Sequence, residues 1–283
     1  MARLPLAPLI NDPIVVTLKG LPTLIPFTLL YSVVWGLGFY FLDTTLGISE
    51  EALEHPGDHL SSALLFYGVF TLISVPYGCG LILIAHERLL GRRLGFPSLI
   101  GSSLARTPRA IFVTFCVFCF SMGIYAGVFV LFFFSYLIGK AIPGSTLIVL
   151  LIGGLFLALF ALFFYVMWIA VPAACVIERR TITSFDRSSR LTKGNRGILA
   201  VAFVLVNLLS STVYFSTAFL VFVLAMATEG IDSMAVSVLS VLVLALGLLV
   251  SCCLQFFLPV VAFVRLRELK EGGETEGLSS VFR

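Results

Sequence analysis

The chain has 283 residues, of which 59% are hydrophobic and only 12% are charged, and its mean hydropathy is +1.10. Soluble domains carry about 25% charged residues, so this chain lacks the charges with which a water-soluble fold covers its surface. The composition therefore excludes a soluble globular protein and predicts an integral membrane protein. The net charge of +3 says little by itself, because the placement of the charges along the chain matters more than their sum.

Six apolar segments are long enough to cross a membrane as helices, since a helix needs about 20 apolar residues to span roughly 30 Å of hydrocarbon. None of them contains Lys, Arg, Asp or Glu. The sequence thus predicts an all-α polytopic membrane protein with six transmembrane helices. The predicted spans are residues 21–42, 60–85, 110–139, 146–177, 197–228 and 233–264.

The basic residues alternate between the connectors and predict the orientation of the chain. Of the 18 lysines and arginines, 17 lie before the first span, in the second and fourth connectors or in the tail, and only Lys140 lies on the other side. The positive-inside rule then places both termini in the cytoplasm. The predicted domain organisation is a cytoplasmic amphipathic segment at 1–20, a six-helix transmembrane domain at 21–264 and a cytoplasmic tail at 265–283.

The first predicted outer loop contains two histidines beside carboxylates, at Glu54, His55, Asp58 and His59. His55 and His59 would share one face of a helix, an arrangement that can bind zinc. However, a proline–glycine pair interrupts the helix that would align them, and no third His or Cys faces that side. A solvated acidic loop is therefore the preferred interpretation, and no metal site is predicted.

A short motif recurs with a spacing of 87 residues, as TLKG at 17–20, LART at 104–107 and LTKG at 191–194. Each copy comes just before a new span. The pattern predicts a threefold parallel repeat of a cytoplasmic amphipathic segment followed by a transmembrane hairpin. Chance matching among apolar segments of similar composition is the alternative.

Three prolines lie in the cytoplasmic halves of the second, fourth and sixth spans, at Pro76, Pro172 and Pro259. A proline inside a span removes one backbone hydrogen bond and is predicted to kink the helix. Such kinks would either shape a cavity that faces the cytoplasm or only adjust helix packing, and the second interpretation is favoured.

The predicted spans hold no charged residue, which argues against a proton- or ion-coupled transporter, because such proteins usually carry ionisable groups in the membrane core. The most polar residues of the spans are predicted to form hydrogen bonds between helices. They are Asn207, Ser210, Ser211, Thr212 and Gln255. All six cysteines lie in apolar runs and predict no disulfide. No nucleophile–base pair is evident, so no enzymatic activity, catalytic residue or cofactor is predicted.

The basic segments beside the spans are the best candidates for a binding surface. In residues 182–196, the apolar Ile182 and Phe185 are predicted to face the membrane while the basic residues face the headgroups, and Glu178 is predicted to pair with a neighbouring arginine. Each basic residue near an anionic membrane contributes about 1 kcal/mol to binding. The alternative is that these residues only orient the protein. The predicted contacts with lipid headgroups or a partner are Arg106, Arg109, Arg179, Arg180, Arg187, Arg190, Lys193 and Arg196.

Two stretches of the chain resemble a family of bacterial six-span inner-membrane proteins. The first contains Val171-Pro172, Glu178 and the run SSRLTKGNR at 188–196, and the second is VRLRELKEG at 264–272. These proteins are similar to the membrane domain of glycerophosphoryl diester phosphodiesterases. The resemblance implies a location in the bacterial inner membrane but no phosphodiesterase activity. In that enzyme the activity resides in a separate α/β barrel, which needs about 250 residues, and no connector in this chain is that long.

The leading prediction is a non-catalytic membrane protein that engages anionic membrane lipids, or a membrane or cytoplasmic protein partner, through its basic segments. No interaction with nucleic acid is predicted. The alternative is a transporter or permease subunit for a small or lipid-like molecule. That alternative predicts a continuous cavity between the helices, lined by Asn207, Ser211, Gln255 or the proline kinks.

Overall fold

The computed structural model describes residues 4–46, 60–141, 145–227 and 234–272. Within these ranges the chain is helical and contains no strand, which confirms the predicted all-α fold. In chain order the helices are α1 (Leu6–Leu46), α2 (Leu60–Leu89), α3 (Phe96–Ala141), α4 (Ser145–Trp168), α5 (Val171–Ile177), α6 (Thr183–Thr192), α7 (Arg196–Ala227) and α8 (Met234–Glu271).

Six segments are long and apolar enough to cross a membrane, and they coincide with the six predicted spans. They are Leu6–Gly38, Gly68–Leu89, Phe96–Leu137, Leu147–Ile177, Arg196–Val223 and Val238–Glu271. The chain is therefore a multi-pass membrane protein. Several helices extend beyond the predicted spans, because the amphipathic segments before the first and third spans continue directly into them in α1 and α3.

The helices pack in a ring in the order α1, α2, α3, α4, α7 and α8, and α8 closes the ring on α1. Helix α2 also contacts α8 across the ring, and the short α5 packs against α2, α3 and α8. We call the end of the bundle where α1 begins and α8 terminates the basic end, since Arg106, Arg187 and Arg265 lie there. The far end is the opposite one, where α1 terminates and α2 begins.

The fourth span is interrupted near the basic end. Helix α4 ends at Trp168, and α5 begins at Val171 with Pro172 in its first turn. Proline has no backbone N–H, and its ring clashes with the carbonyl four residues earlier, here that of Trp168, so a continuous helix is disfavoured. The predicted kink at Pro172 is thus a break between two helices, whereas Pro76 and Pro259 lie inside the continuous helices α2 and α8.

The third amphipathic segment also differs from the first two. A turn separates α6 from α7, and Gly194 in this turn has a φ of 91°, a left-handed conformation that glycine adopts without steric cost. The two earlier segments form the first turns of α1 and α3 without such a turn. The threefold repeat stays a prediction, and so do the domain boundaries at residues 20 and 264.

Candidate functional site

Helix α6 folds against the break in the fourth span. Ser188 Oγ donates a hydrogen bond to the carbonyl of Met167 at 2.8 Å, and the Ala170 N–H donates to Ser188 Oγ at 3.2 Å. A broken helix leaves backbone groups unpaired, which is costly inside a membrane, and Ser188 satisfies one such group on each side. The Phe185 ring packs on Trp168, with centroids 5.1 Å apart. Phe185 is half-buried and contacts protein through this ring, and its orientation toward the membrane stays a prediction.

A network of guanidinium and carboxylate groups holds α6 to α5 and α8. Arg187 Nη2 lies 2.9 Å from Glu178 Oε1 and 2.7 Å from Glu271 Oε2. Glu178 also pairs with Arg180 at 2.8 Å, which confirms that this glutamate pairs with neighbouring arginines. The hydrogen bond to Glu271, followed by the one to Glu178, raises the pKa of Arg187 against the opposing effect of burial. Arg187 is thus a charged cross-link within the protein.

The other basic residues of the same segment lie at the surface. Arg190 pairs with Asp186, one turn earlier on α6, and the side chain of Lys193 is exposed. Lys270 Nζ of α8 donates to the carbonyls of Arg190 at 2.6 Å and Lys193 at 2.8 Å. A cation at this position satisfies the unpaired carbonyls at the C-terminus of α6.

The N-terminal segment is tied to α8 by an ion pair that the sequence did not predict. Asp12 on α1 is only 5% exposed, and its Oδ2 lies 2.7 Å from Arg265 Nη2. Arg265 also approaches Glu268 at 3.3 Å. The Leu4 N–H donates to Asn195 Oδ1 at 3.1 Å, which joins the start of the described chain to the turn between α6 and α7.

Three arginines from two elements lie near one another at the basic end: Arg106 and Arg109 on α3, and Arg179 directly after α5. We call them the arginine cluster. Arg106 and Arg179 are close enough for their positive charges to repel each other, and Arg109 lies near Cys175 of α5. In the described ranges none of the three forms an ion pair with a carboxylate. The Nη1 atom of Arg106 is buried without a hydrogen-bond partner there.

The backbone at Arg179 is in the left-handed region, with a φ of 57°. This residue follows Glu178, which caps the C-terminus of α5, at a position where glycine is usually found. A side chain in this conformation costs roughly 1–2 kcal/mol, because its Cβ approaches the following carbonyl. The chain thus accepts local strain at the point where Arg179 approaches Arg106.

Other charged groups near the arginine cluster have partners. Glu87 attracts Arg106 but lies 3.5 Å from His86 Nδ1, and Arg88 Nη2 donates to Thr23 Oγ1 at 2.8 Å. The remaining predicted basic residue, Arg196, lies over the ring of Phe163 at 5.2 Å from the ring centroid. Arg88 and Arg196 also lack a carboxylate partner among the described residues, and Nε of Arg196 is likewise buried there without a hydrogen-bond partner. The cluster is set apart because several of its arginines lie near one another.

Two apolar cavities lie on either side of Pro172, and Pro172 and Val117 line both. The first, of about 440 Å³, lies among α3, α4, α5, α7 and α8, and the second, of about 300 Å³, lies among α2, α3, α5 and α8. These volumes fall within the range of about 300–1,000 Å³ that is typical of ligand sites. We call the two cavities together the Pro172 groove.

The arginine cluster stands at one end of this groove. On α3, Arg106, Ala110, Val113 and Val117 follow one another at spacings of four, three and four residues, so all four lie on one face of the helix. Ala110, Val113 and Val117 line the second cavity. An anion that binds Arg106 therefore lies one helical turn beyond the apolar wall of the groove.

The polar residues of the spans have a different role. Ser210 Oγ and Ser251 Oγ are 2.6 Å apart, and Gln255 Nε2 donates to Ser210 Oγ at 3.2 Å, which confirms the predicted helix–helix hydrogen bonds for Ser210 and Gln255. Asn207 and Thr212 donate instead to carbonyls of their own helix, so the prediction was wrong for them. The cavity that borders α8 at Pro259 is not lined by Asn207, Ser211 or Gln255, nor is the second one.

The remaining sequence candidates give no site in the part of the chain that the structure describes. The loop with Glu54, His55, Asp58 and His59 lies outside it. Within the described ranges no group of three His, Cys, Asp or Glu side chains is placed to hold a metal ion, and all six cysteines are free thiols. Comparison with protein-family models, curated proteins and solved structures found no match, so the resemblance to the inner-membrane family stays a prediction.

Proposed function

We propose that this chain is a non-catalytic protein of the bacterial inner membrane, with both termini in the cytoplasm, that binds anionic lipid headgroups through the arginine cluster of Arg106, Arg109 and Arg179. The observation that carries the proposal is the buried Nη1 atom of Arg106, which has no hydrogen-bond partner among the described residues, beside Arg109 one turn along α3 and near Arg179. The positive-inside rule puts this end of the bundle at the anionic cytoplasmic leaflet.

The chemistry of the cluster favours a phosphate group as the ligand. A guanidinium offers a planar fork of N–H donors that matches phosphate oxygens, and hydrogen bonds between two charged groups are roughly twice as strong as neutral ones. A bound phosphate would give the buried Nη1 of Arg106 an acceptor and would reduce the repulsion between Arg106 and Arg179. The predicted ligands Arg180, Arg187 and Arg190 are left out of the proposed site because each already pairs with a carboxylate.

The test is lipid binding by purified protein with matched charge removal. The variant Arg106→Gln/Arg109→Gln/Arg179→Gln is compared with Arg92→Gln/Arg190→Gln/Lys193→Gln, which removes three positive charges from exposed positions at the same end. Native mass spectrometry measures the binding of phosphatidylglycerol and phosphatidylcholine to each. At about 1 kcal/mol for each of the three basic residues, the cluster variant should bind phosphatidylglycerol on the order of 100-fold more weakly, with phosphatidylcholine unchanged. Equal losses in both variants would overturn the proposal, since they would reflect net charge alone.

A second candidate function is the transport of a lipid-like molecule, and the Pro172 groove favours it. The groove is lined by Pro172 and Pro259, two of the three prolines at which the transporter alternative requires a cavity. If the chain moves lipid, vesicles that contain it should exchange a fluorescent phosphatidylglycerol between leaflets faster than empty vesicles. Exchange at the rate of empty vesicles would leave the binding function as the better proposal.

A further inference from the structure

We infer that the Pro172 groove holds the two acyl chains of a diacyl anionic phospholipid, one in each cavity, while its phosphate lies on the arginine cluster. This inference rests on the proposed headgroup binding and extends it from the surface into the bundle. It makes the lipid a bound component that lies between α3, α5 and α8, distinct from the lipid that surrounds the protein.

The shape of the groove argues for a two-chain occupant. Pro172 and Val117 line both cavities, so the two spaces adjoin there; Trp168 and Phe203 line only the first cavity, and Cys79 lines only the second. Two adjoining apolar spaces separated by Pro172 can each take one acyl chain of a phospholipid. The break between α4 and α5 creates it, because the first turn of α5 carries Pro172 between the two cavities.

The chemistry of the walls excludes other occupants. Apolar side chains line almost all of both cavities, so an extended peptide placed there would leave its backbone polar groups unpaired at high cost. Free phosphate would bind the arginines and leave the groove empty. Of these occupants, only an amphiphile with an anionic head matches both parts of the site. Its head pairs with the guanidinium cluster, and its apolar tail fills the apolar groove.

The two tryptophans of the chain make this arrangement testable. Trp168 lines the first cavity, whereas Trp35 lies on α1 against Phe70, with ring centroids 5.3 Å apart, and lines neither cavity. In the Trp35→Phe variant the remaining tryptophan is Trp168, whose fluorescence reports on the groove. In the Trp168→Phe variant the remaining tryptophan is Trp35, whose fluorescence reports on a site away from the groove. Each is reconstituted in phosphatidylcholine vesicles with a small fraction of lipid whose acyl chains carry bromine, which quenches a tryptophan that it contacts.

We expect brominated phosphatidylglycerol to quench Trp168 at least threefold more than brominated phosphatidylcholine does at the same mole fraction, as about 1 kcal/mol of preference for the anionic lipid implies. Trp35 should be quenched equally by both lipids. The substitution pair Arg106→Gln/Arg179→Gln should remove the preference at Trp168. Glycerol phosphate added to the vesicles should not reduce the quenching, because it has no chains to anchor it in the groove.

A second set of variants fills the groove without touching the arginines. Ala161→Phe or Ala158→Phe adds a ring within the first cavity and should reduce quenching of Trp168 by brominated phosphatidylglycerol to the level of brominated phosphatidylcholine. Gly154→Ala on the same helix, where an added Cβ meets open space, is the matched control. Two alternative filling positions keep the test decisive if one variant fails to fold, which size-exclusion chromatography detects.

The outcomes separate this inference from the proposed function. Arginine-dependent phosphatidylglycerol binding by mass spectrometry, with equal quenching of Trp168 by both brominated lipids, would overturn the groove inference and leave the headgroup site intact. Full displacement of the brominated lipid by glycerol phosphate would also overturn it, since the headgroup alone would then be the ligand. Binding that is independent of Arg106 and Arg179 in both experiments would overturn both proposals.

Discussion

The half of the bundle next to the basic end holds most of the buried core as well as the Pro172 groove, whereas the half toward the far end exposes many of its apolar side chains. Phe27, Phe257 and Phe263 in the first half are 0% exposed, while Phe129 and Phe219 in the second are 73% and 68% exposed. The same residue type is thus buried in one half and faces the surroundings in the other. In a membrane this costs little, because lipid chains are as apolar as the protein interior.

The difference shows what holds the packed half together. Since moving an apolar side chain from lipid into protein gains little, close packing and polar contacts decide where helices meet. The polar contacts are concentrated in the packed half, in the Asp12–Arg265 pair, the bonds of Ser188 across the helix break and the charged network of Arg187. Four comparisons test this account, each by thermal unfolding in detergent.

The largest decrease in the free energy of unfolding is expected for Arg265→Leu. This change leaves Asp12, which is only 5% exposed, as an unpaired carboxylate. Breaking a buried ion pair by removing one partner costs about 3–5 kcal/mol. The control is Arg267→Leu, whose side chain is 50% exposed and lies 3.5 Å from Glu271, and which should cost less than about 1 kcal/mol. Similar unfolding temperatures for the two variants would refute a structural role for the Asp12 pair.

The next effect is expected for Gly80→Ala, since an added Cβ at this position overlaps the fully buried ring of Phe27. Overpacking a core costs about 1–3 kcal/mol, and we expect the upper part of this range because the ring has no free space to enter. In the far half, Gly154→Ala meets open space and should stabilise α4 by up to about 1 kcal/mol through helix propensity. A neutral Gly80→Ala would show that the packed half repacks as readily as the far half.

A smaller effect is expected for Arg187→Ala, which removes charged hydrogen bonds to Glu178 and Glu271. Such bonds contribute about 1.5–3 kcal/mol, and we expect about 2 kcal/mol because Glu271 is partly exposed. Arg190→Ala on the same helix should change stability by less than about 0.5 kcal/mol, since its side chain is 75% exposed. Equal effects would indicate that the network contributes no more than a surface ion pair.

The smallest effect is expected for Ser251→Ala, which removes the hydrogen bonds of Ser251 Oγ to Ser210 on α7 but leaves the bond from Gln255 Nε2 to Ser210 Oγ. Hydrogen bonds between membrane helices average about 0.6 kcal/mol, so the loss should be near this value. Thr212→Ala, which removes only a bond within α7, should cost less. A loss well above 2 kcal/mol at Ser251 would mean that polar contacts stabilise the spans more than this account allows.

Local chemistry explains which features the sequence predicted. The six spans and the pairing of Glu178 follow from nearby residues, because apolar length and adjacent opposite charges act over short distances along the chain. The Asp12–Arg265 pair did not follow, since its members are 253 residues apart and several other cations stood near the same membrane surface. The break at Pro172 was predicted only as a kink, because residues 169–170 give no separate signal that the helix stops there.

The sequence by itself determined that this chain is a six-span, all-α membrane protein, and its alternating basic connectors predict one orientation. Whether a segment spans the membrane depends on its length and apolar composition, so the spans can be identified without a structure. Only the tertiary structure decided which arginines are paired within the protein and which approach one another as Arg106 and Arg179 do. It also decided that the broken fourth span leaves a groove beside Pro172, because cavities and ion pairs depend on helices that meet from distant parts of the chain.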